Sequence, residues 1–293
     1  MSRNQNNSLI ALTILIFVTV GCFSSSGRDG EPATTPAASP SKSADANKRD
    51  EKKSDASKKE DKGDFIVEHL GVKNSRYNEI DRQIKEEKLL EKAADKLNRS
   101  LILPNDIFLR TKDCGEVNAY YDSNEQAVTV CYELMEHFYK VFRSDGLNDE
   151  KAYDKMFDAV RFAFLHEIGH ALIDVYRLPI TGNEEDAADR CSSFINLTEL
   201  GEDGVRAVLA AADAFSIESK NSTPGKRNLA DEHLLQEQRF YNSLCMLYGS
   251  DQDKHGYILD DGYLPKERAV RCPQEYERTV QSWSDLLRNW RRE

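Results

Sequence analysis

The ten residues from Arg161 to His170, RFAFLHEIGH, constrain this chain more than any other segment. They lie in a stretch of helical character that runs from about residue 150 to Tyr176. His166 and His170 are four residues apart, so a helix directs both imidazoles from one face toward a common point. The carboxyl of Glu167 can approach the same point and accept a proton from a water molecule bound there. This arrangement is typical of a tetrahedral metal site that keeps one position open for water.

A second acidic segment supplies the remaining ligand that such a site needs. After a break at Pro179 and Gly182, the chain continues as NEEDAAD over residues 183–189. We expect a helix here, in which Glu185 and Asp189 lie on one face. Glu185 can then bind the ion while Asp189 orients a ligand histidine from behind. A charge that stabilises the first turn of the helix is the alternative role for Glu185.

These two segments are similar to the HExxH…ExxxD signature of gluzincin zinc metallopeptidases. The resemblance implies a zincin-like fold and a Zn²⁺ ion held by His166, His170 and Glu185. It also implies that Glu167 is the catalytic base and that Asp189 is the acid that orients a ligand.

Two further features extend this resemblance. Asn118 and Ala119 begin the segment NAYY, which resembles the edge-strand segment with which gluzincins bind extended substrate. Gluzincins also use a His or Tyr to stabilise the oxyanion. His233, at the predicted start of a helix, is the first candidate for this role, and Tyr241, eight residues later, is the second.

Residues 64–293 as a whole resemble a group of bacterial exported proteins identified as metallopeptidases without an assigned substrate. The shared segments are LPNDI, CGEVNAYYD, VCYEL, HEIGHALID, EEDAAD and DEHx(4)QRFYN.

The N-terminus is predicted to be a targeting segment. Arg3 precedes an apolar run from Leu9 to Val20, which is short for a membrane span and typical of a secretion signal. The run ends in TVGC, which resembles a bacterial lipobox, so residues 1–22 are predicted to be a lipoprotein signal with Cys22 as the lipidated residue. Thr19 stands where Leu is usual, and an ordinary signal peptide stays open as the alternative.

Residues 23–63 are predicted to be a disordered tether, since Phe23 is their one large apolar residue. A random coil of this length reaches about 35 Å. The net charge of -11 comes almost wholly from the predicted domain at residues 64–293. An acidic domain of this kind argues against nucleic acid as a partner. The predicted partners are a peptide or protein substrate and, through the lipid anchor, a membrane. We expect an exported monomer on the bacterial envelope, on the periplasmic side of the outer membrane in a Gram-negative host.

Cysteine usage agrees with export to an oxidising compartment. We expect disulfides between Cys114 and Cys131 and between Cys245 and Cys272, while Cys191 stays a buried thiol.

The fold class is predicted to be α+β, with a small N-terminal sheet or hairpin packed on the active-site helix and a mostly helical C-terminal part. We expect a helix from Ser75 to Arg99 and strands near 107–110, 117–121 and 127–132. Further helices are expected near 134–142, 203–219, 230–248 and 273–290, with loops at 220–228 and 249–264.

Two functions fit this sequence. The first is an envelope zinc metallopeptidase that hydrolyses peptide bonds with water activated by Glu167. The alternative is a non-catalytic lipoprotein in which a structural zinc joins two helices and the surface binds a protein partner.

Overall fold

The computed structural model describes residues 59–221 and 231–292. The predicted signal segment, Cys22 and the tether up to residue 58 lie outside this range. The last predicted tether residues lie within it, where the N–H groups of Lys62 and Gly63 donate to the carbonyl of Leu103 at 2.8 and 3.0 Å. Among the described helices, none is both long enough and apolar enough to cross a membrane.

One four-stranded sheet lies at the N-terminal side of the domain. Its strands are β1 (Phe65–Val67), β2 (Ile107–Lys112), β3 (Ala119–Asp122) and β4 (Ala127–Cys131), in the order β1-β2-β4-β3. The first three in this order run parallel, whereas β3 and β4 form the predicted antiparallel hairpin. The short strand β1 was not predicted, since three residues give too little alternation. The hairpin leaves β3 as an edge strand.

Helices make up most of the remainder, which confirms the predicted α+β class. They are α1 (Asn78–Glu86), α2 (Leu89–Ser100), α3 (Tyr132–Ser144), α4 (Asp149–Tyr176), α5 (Glu184–Glu199), α6 (Gly201–Asn221), α7 (Gln236–Ser250), α8 (Tyr257–Asp260), α9 (Lys266–Ala269) and α10 (Cys272–Leu287).

Several of the predicted elements differ from the structure in their extent or type. The helix predicted from Ser75 to Arg99 is wrong as a single element, because Lys88 adopts a left-handed conformation with φ 54° and separates α1 from α2. The predicted loop at 249–264 contains α8.

Helix α4 runs through the core and divides it in two. A larger hydrophobic cluster joins the sheet to α1–α5, with Ile168 and Leu172 of α4 fully buried in it. Phe162, on another face of α4, belongs to a second cluster with residues of α6–α10, among them Phe215 and Leu247. The position of α4 therefore depends on both halves of the domain.

Both predicted disulfides are confirmed. Cys114 bonds to Cys131 at the end of β4, and Cys245 bonds to Cys272, which joins α7 to α10. Cys191 is a buried free thiol, as predicted.

Candidate metal centre

The two histidines of α4 lie in a buried part of a well-capped helix. The Asn148 side chain accepts from the backbone N–H of Lys151 and so caps the helix. His166 and Glu167 are only 4% and 8% exposed, although both are polar. Buried polar groups need partners, so the neighbouring elements must supply them.

Helix α5 approaches α4 closely at the level of the histidines. Gly169 has no side chain, and a Cβ built there would lie 3.1 Å from both the Cα of Ala188 and the Cβ of Cys191. The small residues of both helices therefore set their separation. At the start of α5, the Asn183 side chain accepts from the N–H of Glu185 at 2.8 Å and caps the helix.

This packing brings the three predicted ligands together. Nε2 of His166 lies 3.2 Å from Nε2 of His170 and 3.1 Å from Oε2 of Glu185. Nε2 of His170 lies 3.4 Å from the same oxygen of Glu185. The three donor atoms thus form a nearly equilateral triangle.

The other ring nitrogen of each histidine is held by a carboxylate. Nδ1 of His166 lies 2.8 Å from Oδ1 of Asp189, the predicted orienting acid. Nδ1 of His170 lies 2.8 Å from Oε1 of Glu184, a role that the sequence analysis did not assign. Because Nδ1 of each ring is engaged by a carboxylate, it carries the proton in the neutral tautomer, and Nε2 is free to coordinate.

Arg239 is a second residue of the site that the sequence analysis missed. From α7 its guanidinium donates twice to Asp189, with Nε 2.8 Å from Oδ2 and Nη2 2.7 Å from Oδ1. It also lies over the ring of Phe215, 4.2 Å from the centroid. This paired and stacked arginine fixes Asp189, and through it the ring of His166.

His233 reaches the same cluster from the segment before α7. Its Nε2 lies 2.9 Å from Oε2 of Glu185, and its ring stacks near that of His166 with centroids 5.9 Å apart. Donor atoms of His166, Glu185 and His233 all lie within 4.8 Å of one another. Asn183 holds this segment, because its side-chain amide donates to the Glu232 carbonyl at 2.7 Å.

Tyr241 has a different environment. The helix that carries it begins at Gln236, so His233 lies in the preceding turn and not, as predicted, at the start of that helix. Tyr241 packs against the second hydrophobic cluster and lines a small pocket with Leu234 and Pro265. Within the described residues its phenol makes no hydrogen bond to the ligand cluster.

Glu167 lies beside the triangle without belonging to it. Its Oε1 is 3.9 Å from Nε2 of His166, and the backbone N–H of Tyr121 on β3 favours the charged form of its carboxyl and so lowers its pKa against the effect of burial. The Tyr121 hydroxyl in turn donates to Oδ2 of Asp174 at 2.8 Å, which joins β3 to α4. The edge strand is thus fixed alongside the cluster.

The hydrogen-bond pattern of β3 leaves Ala119 available to a ligand. The carbonyl of Asn118 accepts from the N–H of Cys131, so these two residues form a hydrogen-bonded pair. The next pair, Ala119 and Val130, is then non-hydrogen-bonded. The N–H and C=O of Ala119 therefore point away from β4, toward the free edge. The Asn118 side chain lies 3.4 Å from Glu116.

The charges in the cluster are strongly coupled. Burial opposes a charge on His166, but its hydrogen bonds with Asp189 and Glu185 outweigh burial and raise its pKa to about 9. Burial also works against ionisation of Glu185, yet its hydrogen bonds with the three imidazoles hold its pKa far below the usual range. Burial raises the pKa of Glu167, which suits a group that must accept a proton.

The donor set fits a divalent transition metal ion. With bonds of about 2.0–2.2 Å to imidazole nitrogen and carboxylate oxygen, the edges of a tetrahedron measure roughly 3.3–3.6 Å. The observed separations of 3.1–3.4 Å are close to this range. Two Nε2 atoms and one carboxylate oxygen are therefore spaced so that they would hold such an ion at three corners of a tetrahedron.

Comparison with known proteins gave one match, to a protein family. A family model, DUF4344, described as "Putative metallopeptidase", matches residues 70–287, which is nearly three quarters of the chain. The chain belongs to this metallopeptidase family. The matched range includes α4, α5 and α7, and hence each residue of the cluster. Neither the curated proteins nor the solved structures gave a match.

Proposed function

We propose that this protein is a zinc-dependent peptidase in which His166, His170 and Glu185 hold the ion. The observation that carries the proposal is the triangle of their donor atoms, 3.1–3.4 Å apart, with the Glu167 carboxyl beside it. Membership of the metallopeptidase family supports a peptide as the substrate.

Each neighbouring side chain has a defined part in peptide hydrolysis. A zinc ion at this site would supply Lewis acidity to a carbonyl oxygen and lower the pKa of a water molecule. Glu167 accepts the proton of the attacking water and passes it to the leaving amine. His233 donates from Nε2 to the oxyanion, while Asp231, with Oδ1 3.3 Å from Nδ1, orients its ring.

The substrate lies as an extended strand against β3. The outward N–H and C=O of Ala119 pair with its backbone, as in strand addition. Because the backbone N–H of Tyr121 acts on the Glu167 carboxyl, a peptide on this edge passes next to the catalytic base.

Two variants test the proposal against a matched control. Glu167→Gln keeps the zinc content but loses peptide hydrolysis by at least about a hundredfold, since the general base is removed. His170→Ala loses the zinc as well. Glu150→Gln, an exposed glutamate in the first turn of the same helix, changes neither property. Metal analysis and mass spectrometry of digested peptide libraries provide the measurements. Hydrolysis by Glu167→Gln at the parent rate contradicts the mechanism.

A structural metal centre is the second candidate, because His233 is also within reach. Its Nε2 lies 2.9 Å from Oε2 of Glu185, and a fourth protein ligand would close the coordination shell. His233→Asn separates the two functions. If the protein is a peptidase, this variant keeps the zinc and has a lower kcat. If the site is a structural centre, the variant binds zinc more weakly, and neither it nor the parent hydrolyses peptides.

We further propose that the domain is anchored to the bacterial envelope through a lipid on Cys22. The support is the apolar run that ends in the lipobox-like TVGC. Mass spectrometry of the mature N-terminal peptide detects the lipid, and Cys22→Ala releases the protein from the membrane fraction. An unmodified N-terminus at another residue contradicts this assignment.

A further inference from the structure

A large cavity in the described part of the chain lies on the opposite side of α4 from the metal centre. It has a volume of about 690 Å³ and separates α2 from α4 and α5. Phe157 and Phe164 of α4 line it. At 3.6 residues per turn these positions lie about half a turn around the helix from His166 and His170. The cavity is therefore separate from the peptide site.

Its walls are apolar and incompletely packed. Leu89 and Ala93 on α2, Phe157 on α4 and Ile195 on α5 all line it, and all four are only partly buried. Packed interiors contain few voids larger than one water molecule, whereas this volume equals that of about twenty waters. Because the walls offer water few hydrogen bonds, an apolar ligand gains by displacing it. The size lies within the range of ligand cavities, about 300–1,000 Å³.

The mouth of the cavity is lined by charged side chains, most of which are paired. Arg206 lies 2.7 Å from Asp203, and Arg291 lies 3.0 Å from Glu199. Lys92 on α2 is exposed and has no ion pair within the described residues. One turn later, Lys96 donates to the carbonyl of Glu199 at 2.6 Å and has no carboxylate partner there. The acids Glu87 and Asp154 and the ion pair of Arg161 with Asp158 also line the cavity.

We propose that this cavity binds a free fatty acid of about twelve carbons, with the alkyl chain between α2 and α4 and the carboxylate at Lys92. The apolar walls match the chain, and the lysine stem lies along them while its ammonium stays in water. Lys96, one helical turn away, adds a second positive charge to the same rim.

Titration of the delipidated full-length protein with dodecanoate, below its micelle concentration, tests the proposal by calorimetry. We expect saturable binding of one molecule per chain. Ala93→Trp fills the cavity and weakens binding by at least about tenfold. Lys92→Glu weakens dodecanoate by about two- to fivefold, as for an exposed ion pair, and leaves the uncharged dodecanol unchanged. Zinc content and thermal unfolding confirm that each variant is folded.

Three results overturn the inference. The first is the absence of saturable dodecanoate binding to the folded parent. The second is unchanged affinity in an Ala93→Trp variant that unfolds at the parent temperature. The third is that dodecanol binds as tightly as dodecanoate and that Lys92→Glu changes neither affinity. This result would show that Lys92 does not bind the carboxylate. Should Ala93→Trp fail to fold, the exposed Lys92→Glu still tests the head group. None of these results bears on peptide hydrolysis.

Discussion

Oδ1 of Asp189 lies 2.8 Å from Nδ1 of His166, and the same carboxylate receives both hydrogen bonds of Arg239. Burial opposes ionisation of Asp189, but the charge of Arg239 and the imidazole hold its pKa below the usual range. The carboxylate therefore stays charged and fixes the tautomer in which Nε2 of His166 can coordinate.

Asp189→Asn is expected to weaken zinc binding by about 10–100-fold. The uncharged amide oxygen is a weaker acceptor for Nδ1 of His166 than the carboxylate and therefore orients the imidazole less firmly. It also leaves the Arg239 charge buried without its counterion, which costs about 3–5 kcal/mol of unfolding free energy. Competition with a fluorescent chelator and urea unfolding measure the two effects. Asp253→Asn, at an exposed aspartate outside the cluster, serves as the control and changes neither by more than about 0.5 kcal/mol.

Glu184→Gln is expected to have a much smaller effect than Asp189→Asn. The Glu184 side chain is 51% exposed, so water screens its charge, and the glutamine oxygen can still accept from Nδ1 of His170. We expect zinc affinity to fall by about two- to fivefold. Glu184→Ala, which removes the acceptor, is expected to cost more. Equal affinities of the parent and the Ala variant in chelator competition would falsify the orienting role.

Zinc binding is expected to release protons at neutral pH. Burial disfavours the charged ring, yet Asp189 and Glu185 raise the pKa of His166 to about 9 without the metal. Coordination requires an unprotonated Nε2, so zinc must displace a proton from the ring below pH 9. For each proton released, zinc affinity then falls about tenfold for every unit by which the pH is lowered. Calorimetry in buffers of different ionisation enthalpy counts these protons. A pH-independent affinity between 6 and 8.5 contradicts the assignment of His166.

The stability of the metal-free protein is expected to change in the opposite direction. A histidine with a raised pKa contributes stability that is fully present below its unfolded value, near 6.5, and that is lost as the pH rises toward 9. The metal-free protein therefore loses stability between pH 6.5 and 9, while zinc affinity rises in that window. Urea unfolding at several pH values, with and without chelator, measures both trends.

Gly169→Ala is expected to destabilise the protein, although alanine is the better helix former by about 0.8–1 kcal/mol. The new methyl would lie 3.1 Å from the Ala188 Cα and the Cys191 Cβ, so α5 must move outward. Overpacking of this kind costs about 1–3 kcal/mol and exceeds the gain. We expect a lower melting temperature and weaker zinc binding, since Glu185 moves with α5. A variant that melts higher and binds zinc as before contradicts this view.

The sequence predicted best those site residues that lie a few positions apart within one helix. His166 with His170 and Glu185 with Asp189 are pairs within single helices, so the period of the helix predicts their common face. The disulfide between Cys114 and Cys131 was predicted because the two residues flank a predicted hairpin, whereas spacing alone does not fix the pairing of Cys245 with Cys272. Membership of the metallopeptidase family, however, does not test the role of any single residue.

Long-range contacts could not be predicted in the same way. Arg239 follows Asp189 by fifty positions, and the sequence shows only an arginine beside Phe240 in a predicted helix. A helical pattern continues through Lys88, so the left-handed break there was missed. His233 and Tyr241 were both predicted from the family resemblance, with His233 expected to start the helix that carries Tyr241, whereas that helix begins at Gln236.

The two disulfides secure opposite sides of the metal centre. Cys114–Cys131 fixes the loop that leads into β3, and Cys245–Cys272 fixes the helix that carries Arg239. In a reducing cytosol a newly made chain would have both thiol pairs open. We expect the domain to reach its disulfide-bonded form only after the export proposed above, so that hydrolysis would begin outside the cytosol.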